Sequence, residues 1–222
     1  SHLVDRIHGE LDAFEAAGRT IFATSSFQGQ SLPLLKILSE RSKSVSVALT
    51  NTGFLFPETL GFAESVCHEF GLNLIEVQSD VPKSHQRSRD GSFLYVSDPD
   101  YCCQLNKTAP LESVLQQFDI WINGIRKDQS AARAQLNKFE PSKYGCVRYH
   151  PLLDWTAKDI HYFRKIFGLR DHPLESQGYQ SVGCQPCTFK AIEGANERNS
   201  RWMGMNKTEC GLNTDLIVKT DV

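Results

Sequence analysis

No stretch of this 222-residue chain stays apolar for the length that a membrane-spanning helix requires. The first residues, SHLVDRIHGE, lack the basic-then-apolar layout of a secretory signal. Net charge is almost absent. The 24 Lys and Arg stand against 26 Asp and Glu, so bulk electrostatics argues neither for nucleic acid nor for a membrane surface. Low-complexity tracts and internal repeats are also missing. Seven cysteines is an odd number, which disfavours a closed disulfide framework. A cytoplasmic chain that uses thiols for metal binding or catalysis fits better. What is present is 40% apolar composition over a length suited to one globular domain, residues 1–222, with a sizeable core. Monomer and homo-oligomer both stay open.

Periodicity gives the architecture. Leu3, Ile7, Leu11 and Phe14 recur at helical spacing and predict a leading amphipathic helix. TIFATSS (Thr20 to Ser26) reads as a buried strand, followed by the helical LPLLKILSE. SVSVALT (Ser44 to Thr50) is a second strand, with a helix running to about Phe70, and LNLIEVQ (Leu72 to Gln78) a third. DIWINGI (Asp119 to Ile125) adds a fourth. Such alternation predicts an α/β fold, a doubly wound, mostly parallel sheet with helices on both faces. Ligands of these sheets lie at the carboxyl ends of the strands, so chemistry is to be sought in the loops that follow them.

The loop after the first strand, SSFQGQS, offers hydroxyls, backbone N–H groups and Gly29 ahead of a helix, a combination that suits an anion. On composition alone it reads rather as a polar strand-to-helix turn. NTGFLFPET, after the second strand, has Gly53 for close backbone approach and Pro57 to open a helix. The thiols are more specific. Cys102 and Cys103 are adjacent, a geometry that resists bridging to each other, and Cys184-x-x-Cys187 matches them downstream. Two pairs of thiolates suit an iron–sulfur cluster or zinc, and an adjacent pair reaches two irons of a cubane more easily than it bends round one ion. Cys67 and Cys146 read as small buried groups. Cys210, alone near the C-terminus, is either incidental or a nucleophile that travels.

From about Ile21 to Asn213 the chain resembles the assimilatory sulfonucleotide reductases, the adenylylsulfate (APS) and phosphoadenylylsulfate (PAPS) reductase family. The carriers are SSFQGQS, TGFLFPET, CCxxxK, NGIRKDQSAAR, YHPLLDW, HPLxxxGYxSVGCxPCT and ECGLN, in that order. The resemblance implies an adenine-nucleotide α-hydrolase-like fold and reduction of activated sulfate to sulfite. Members that keep all four paired cysteines carry a 4Fe–4S cluster and generally prefer APS. By that resemblance Cys102, Cys103, Cys184 and Cys187 are the metal ligands. Ser25, Ser26, Phe27, Gly29, Thr52, Gly53, Lys107, Gly124, Arg133, Arg198, Arg201 and Asn213 are the substrate-binding residues.

The chemistry follows from the substrate. Sulfate joined to AMP as a mixed anhydride has a good leaving group, and a soft thiolate at Cys210 is suited to attack its sulfur. A second thiol then releases sulfite by the logic of thiol–disulfide exchange. A polyanion needs cations, and the resemblance places them at Lys107, Arg133, Arg198 and Arg201. Arg198 and Arg201 stand three apart, so a helical turn would aim both at one anion, although the spacing alone reads as a solvated face. The chain carries no redox domain after ECGLN, so the donor is expected in trans, thioredoxin or glutaredoxin. The segment 200–222 is expected to be mobile, so that Cys210 meets both substrate and donor. Two departures from the family pattern, Asn213 for histidine and Asn51 for aspartate, bear on substrate preference. Two other classes remain. A phosphate-loop ATP-pyrophosphatase would carry SGGxDS, which the first loop lacks. A non-catalytic nucleotide-binding protein with structural zinc would leave Cys210 without a task.

Overall fold

The computed structural model describes residues 2–41, 45–194 and 197–216. Its centre is a six-stranded sheet of order β3-β2-β1-β4-β6-β5. The strands are β1 (Ile21–Thr24), β2 (Ser46–Thr50), β3 (Asn73–Val77), β4 (Ile120–Ile122), β5 (Phe139–Pro141) and β6 (Val147–Tyr149). All neighbours are parallel except β5, which lies antiparallel on β6 at the edge. The four expected strands are present in shorter form. β5 and β6 are additions, and with only β5 antiparallel the sheet is mostly parallel, as expected.

The helices are α1 (His2–Ala16), α2 (Leu32–Ser39), α3 (Pro57–Phe70), α4 (Leu94–Ser97), α5 (Pro99–Cys103), α6 (Ala109–Leu115), α7 (Ala131–Ala134) and α8 (Ala157–Ile166). Their ends are set locally. Proline stands in the first turn of α2, α3, α5 and α6, where its missing N–H costs nothing. α3 stops at Gly71, whose left-handed φ of 64° lets its N–H close the last turn. Thr156 and Asp159 form a reciprocal capping box at the start of α8.

α2 buries Leu32, Leu34, Leu35, Ile37 and Leu38, so it is apolar nearly all round and sits inside the protein. It anchors the larger core, shared by α1, α3, α8 and one face of the sheet. On α1 the buried line is Val4, Ile7 and Leu11. Leu3, assigned to that face by its spacing, is instead 46% exposed. The other face of the sheet holds Phe22, Ala48, Trp121 and Cys146 against α6 and against Leu216 of the C-terminal segment. That segment is therefore packed into the body up to its last described residue, while 217–222 of the expected mobile tail lie outside the described residues.

The order of strands matters for function. From β1 the chain winds outward to β2 and β3, then returns to the other side of β1 at β4. The carboxyl ends of β1 and β4 thus diverge, opening a crevice at the point where the winding reverses.

Candidate active site

A cleft opens at that crevice. The loop after β1 contributes Ser25, Ser26, Gln28, Gln30 and Ser31, and the loop after β4 contributes Asn123 and Gly124. Lys107, Arg133, Arg148, Arg198, Arg201, Cys210 and Asn213 complete the wall. The first loop is tied to its neighbours. Gln28 Oε1 accepts from the Val182 N–H at 2.9 Å, and Gln30 Oε1 accepts from Arg126 Nη1 at 3.1 Å. Phe27 turns the loop with a φ of 52°, a region that non-glycine residues enter only when the surroundings compel it. Its ring is buried in the larger core, away from the cleft.

The thiols are brought together by two short elements. Asp98 caps α5 by accepting from the Tyr101 N–H, Pro99 opens it, and a single π-type turn, Gln104–Thr108, continues it. Successive residues of a helix point about 100° apart, so the adjacent cysteines face different partners. Cys102 feels Cys184 and Cys187, and it accepts from Asn106 Nδ2 at 3.6 Å. Cys103 interacts instead with Cys210. The second thiol pair arrives on a loop hydrogen-bonded to the one after β2, Gln185 N–H to the Phe54 carbonyl at 2.7 Å. Cys102, Cys103, Cys184 and Cys187 line one cavity with Thr52, Phe54, Tyr95 and Lys107. Thr52 Oγ and Cys184 Sγ are 3.2 Å apart. Among the described residues, no three His, Cys, Asp or Glu side chains close round a point suited to a single ion.

Burial pushes the thiols of Cys102 (to about 11) and Cys187 up. The hydrogen bond to Cys210, with burial, does the same for Cys103. Cys210 is the exception, held well below the ordinary thiol range first by the Cys103 hydrogen bond and then, against its own burial, by the charge of Lys107. Lys107 Nζ lies 3.8 Å from Cys210 Sγ. Burial works against that ammonium, but Cys184, Cys210 and Cys103 outweigh it and raise its pKa. With Cys103 deprotonated on a metal, the hydrogen bond to Cys210 would lose its proton, and Lys107 would remain as the cation beside the thiol. The remaining two thiols, Cys67 and Cys146, are buried in the cores and pushed up to about 11 and 12 by desolvation.

The predicted cations converge, though not as free charges. Arg198 and Arg201 share the Trp202 ring, 5.4 and 4.7 Å from its centroid, with Arg198 in the turn Glu197–Ser200 and Arg201 just beyond it. Arg201 donates Nε to the Cys187 carbonyl at 3.0 Å and lies flat on Gly183, where a Cβ would stand 2.3 Å from Nη2. Arg133 and Arg198 both pair with Glu209. Of the other expected binding residues, Gly124 lines the cleft, whereas Thr52 faces the cysteine cavity and Gly53 packs against Lys83. Gly29 also points elsewhere: a Cβ there would meet the Glu175 carboxylate, so its bareness serves loop packing.

Arg148 lies outside the motifs quoted above, and Glu209, Asn123 and His150 lie inside ECGLN, NGIRKDQSAAR and YHPLLDW without having been singled out there. Arg148 is fully buried on β6, stacked 4.4 Å from the Trp121 ring, and donates Nη2 to Asn213 Oδ1 at 2.9 Å. Its Nε and Nη1 have no hydrogen-bond partner among the described residues, and burial lowers its pKa to about 10. His150, pushed down to about 3 by burial and by Arg148, is neutral and sits 2.5 Å from Asn123 Oδ1.

Glu209 has a pKa lowered from 4.5 to about 2, its two arginines overcoming the cost of burial. A depressed carboxylate stabilises the fold fully above its unfolded pKa and loses that contribution as pH falls through the folded value. Acid unfolding is therefore expected to lose on the order of 3 kcal/mol from this group between about pH 4.5 and 2. Glu209→Gln should flatten that part of the stability–pH curve, as chemical denaturation at a series of pH values would show.

Comparison with known proteins identifies the family. Residues 20–190 match the family model described as the phosphoadenosine phosphosulfate reductase domain. A Bacillus subtilis protein named adenosine 5'-phosphosulfate reductase 1 is 36% identical over 204 residues, 90% of this chain and 87% of that protein. A Streptomyces coelicolor protein named adenosine 5'-phosphosulfate reductase is 35% identical over 201 residues, 90% of this chain and 84% of that one. Among solved structures, a phosphoadenylyl-sulfate (PAPS) reductase from Candida auris aligns with a TM-score of 0.62 at 20% identity, over 75% of this chain and 81% of that one, a likeness of fold. By the extent of these matches, the chain belongs to the phosphoadenosine phosphosulfate reductase family.

Proposed function

We propose that the chain reduces adenosine 5'-phosphosulfate to sulfite and AMP, with Cys210 as the nucleophile. The observation that carries this reading is the thiol of Cys210 beside Lys107 Nζ, in a cleft walled by arginines at the switch point of the sheet. The names of the curated relatives support the choice of substrate.

The Cys210 thiolate attacks the sulfur of the bound sulfate, and the bond from sulfur to the bridging oxygen breaks. AMP leaves with that electron pair, and Cys210 carries a sulfonate as S-sulfocysteine. A thiolate of a dithiol donor then attacks Cys210 Sγ, and sulfite departs with the electrons of the S–S bond. The donor's second thiol resolves the mixed disulfide and restores Cys210, so two electrons enter per sulfite. Thioredoxin is the donor we propose, with glutaredoxin the alternative, and a tail that opens would let either reach the adduct. Lys107 and Arg201, which line the cleft, would meet the sulfate, with Arg148 offering further N–H groups. We place the reaction in the cytoplasm, where free thiols persist. No helix among the described residues is long and apolar enough to cross a membrane.

Cys102, Cys103, Cys184 and Cys187 would hold a 4Fe–4S cluster. The fit rests on the donor set, four thiols on one cavity wall, with Thr52 and Asn106 beside two of the sulfurs and Lys107 nearby. Burial makes bare thiolates costly there, so a cationic metal core would compensate them. When bound, the cluster would supply a fixed field to the cleft; Lys107 and Cys210 would carry out the substrate chemistry.

APS is expected to be preferred over PAPS. A 3'-phosphate would add nearly two negative charges, and the cations of this cleft gather at the Cys210 end, with no additional basic run in the sequence to meet it. Protein purified without oxygen, with its absorption spectrum recorded, should release sulfite at least about tenfold faster from APS than from PAPS in direct competition, the ratio set by a charge left unpaired. Equal turnover would refute the preference and leave the chemistry standing.

A further inference from the structure

The charges beside Cys210 form a clamp. Glu209 is 7% exposed and takes Arg133 in a two-pronged ion pair, Nε to Oε2 and Nη2 to Oε1, both 2.9 Å. Arg198 Nη2 donates to the same Oε1 at 2.8 Å, and so do the Cys210 N–H at 2.9 Å and Asn213 Nδ2 at 3.1 Å. The acceptor and two donors belong to the C-terminal segment, the arginines to the body. Arg133 is itself fixed, since Ser130 caps α7 and Gln129 holds Nη1. Between Met203 and Thr208 no residue is fully buried; Glu209 is the first that is, one residue before the nucleophile.

We propose that Glu209 is a positioning residue, a latch that closes on Arg133 and Arg198 to hold Cys210 at the cleft. This rests on Cys210 being the nucleophile. The two arginines then serve the placement of the thiol, and the substrate's anions fall to Lys107, Arg148 and Arg201. Arg148 suits that role: its Nε and Nη1 lack partners among the described residues, whereas Arg133 is already paired. An ionic latch also suits a tail that must open. A closed ion pair forfeits hydration on both sides, and opening returns every charge to water, so grip and release are close in free energy. An apolar plug of the same size would have to expose its whole surface on opening.

The test uses the cluster-loaded protein purified without oxygen, and AMP as the affinity probe. Glu209→Gln is expected to slow formation of the Cys210 adduct at saturating APS by about a hundredfold, the penalty for a misplaced reacting group. The Kd for AMP should stay within about threefold, and alkylation of Cys210 by iodoacetamide should quicken as the tail is released. Arg133→Met should behave the same way, and the double variant should be no slower than the worse single one, because the two side chains act as one unit. Glu209→Asp keeps the charge and should recover part of the rate, which carries the test should the Gln variant fail to fold. An adduct rate unchanged in Glu209→Gln would overturn the latch. So would an Arg133→Met variant that loses AMP affinity by more than about tenfold while keeping its saturated rate, the signature of an arginine that serves binding alone. Failure of the wild-type protein to form any adduct would instead refute the nucleophile.

Discussion

Cys210→Ser is expected to lower sulfite release by about four orders of magnitude or more, the scale on which loss of a covalent nucleophile is felt. The substitution swaps a polarisable sulfur beside the Lys107 ammonium for a hydroxyl that stays protonated. The second step disappears as well, because a thiol donor has no sulfur at position 210 to attack. Affinity for AMP should change by no more than about threefold, since Lys107, Arg148 and Arg201 remain and the exchange costs little volume. Sulfite assays and AMP titration on the same preparation separate the two effects. A rate near wild type would remove Cys210 from the mechanism.

Much of the fold and of this site is legible in the amino-acid sequence, and the part that is not has a physical explanation. β1 to β3 and the helices between them are legible because a parallel sheet covered on both faces demands apolar β-branched runs. β5 and β6 are not. Each has three residues, β5 contains a proline and is mostly exposed, and β6 carries an arginine that reads as surface. Arg148 is nevertheless fully buried, with Trp121 under its guanidinium. The paired cysteines stand out by their spacing, whereas Lys107 and Cys210 stand out only through the family resemblance, and in the structure they lie 3.8 Å apart. The ion pairs are not legible: Glu209 finds Arg133 across 76 positions, and no local pattern encodes that. Gly29 has a second use that the sequence does not announce. It stands where an anion-binding loop would need it, yet its open side faces Glu175.

The second large effect concerns the thiol pairs. Replacing any one of Cys102, Cys103, Cys184 or Cys187 by serine should lose bound iron and activity together, from about four irons per chain toward none. A hydroxyl is a hard, weakly acidic ligand and a poor substitute for thiolate on iron. The cavity adds to the loss, since Thr52 and Asn106 stand beside two of its sulfurs and half-buried Lys107 lines it with them. Cys103 should be the most damaging position, because it also contacts Cys210. Iron analysis, visible absorption and sulfite release measured on one anaerobic series would settle it. Stoichiometric zinc with no colour, or full activity in an iron-free variant, would sink the cluster reading.

The covalent step is tested most directly by a single turnover without reductant. Anaerobic protein mixed with excess APS should release one AMP per chain and stop, and intact mass should rise by one sulfonate. Peptide mapping should place that sulfonate on Cys210, and reduced thioredoxin should remove it with an equal yield of sulfite. AMP release that waits for reductant, or an adduct that maps to Cys67 or Cys146, would contradict covalent catalysis by Cys210.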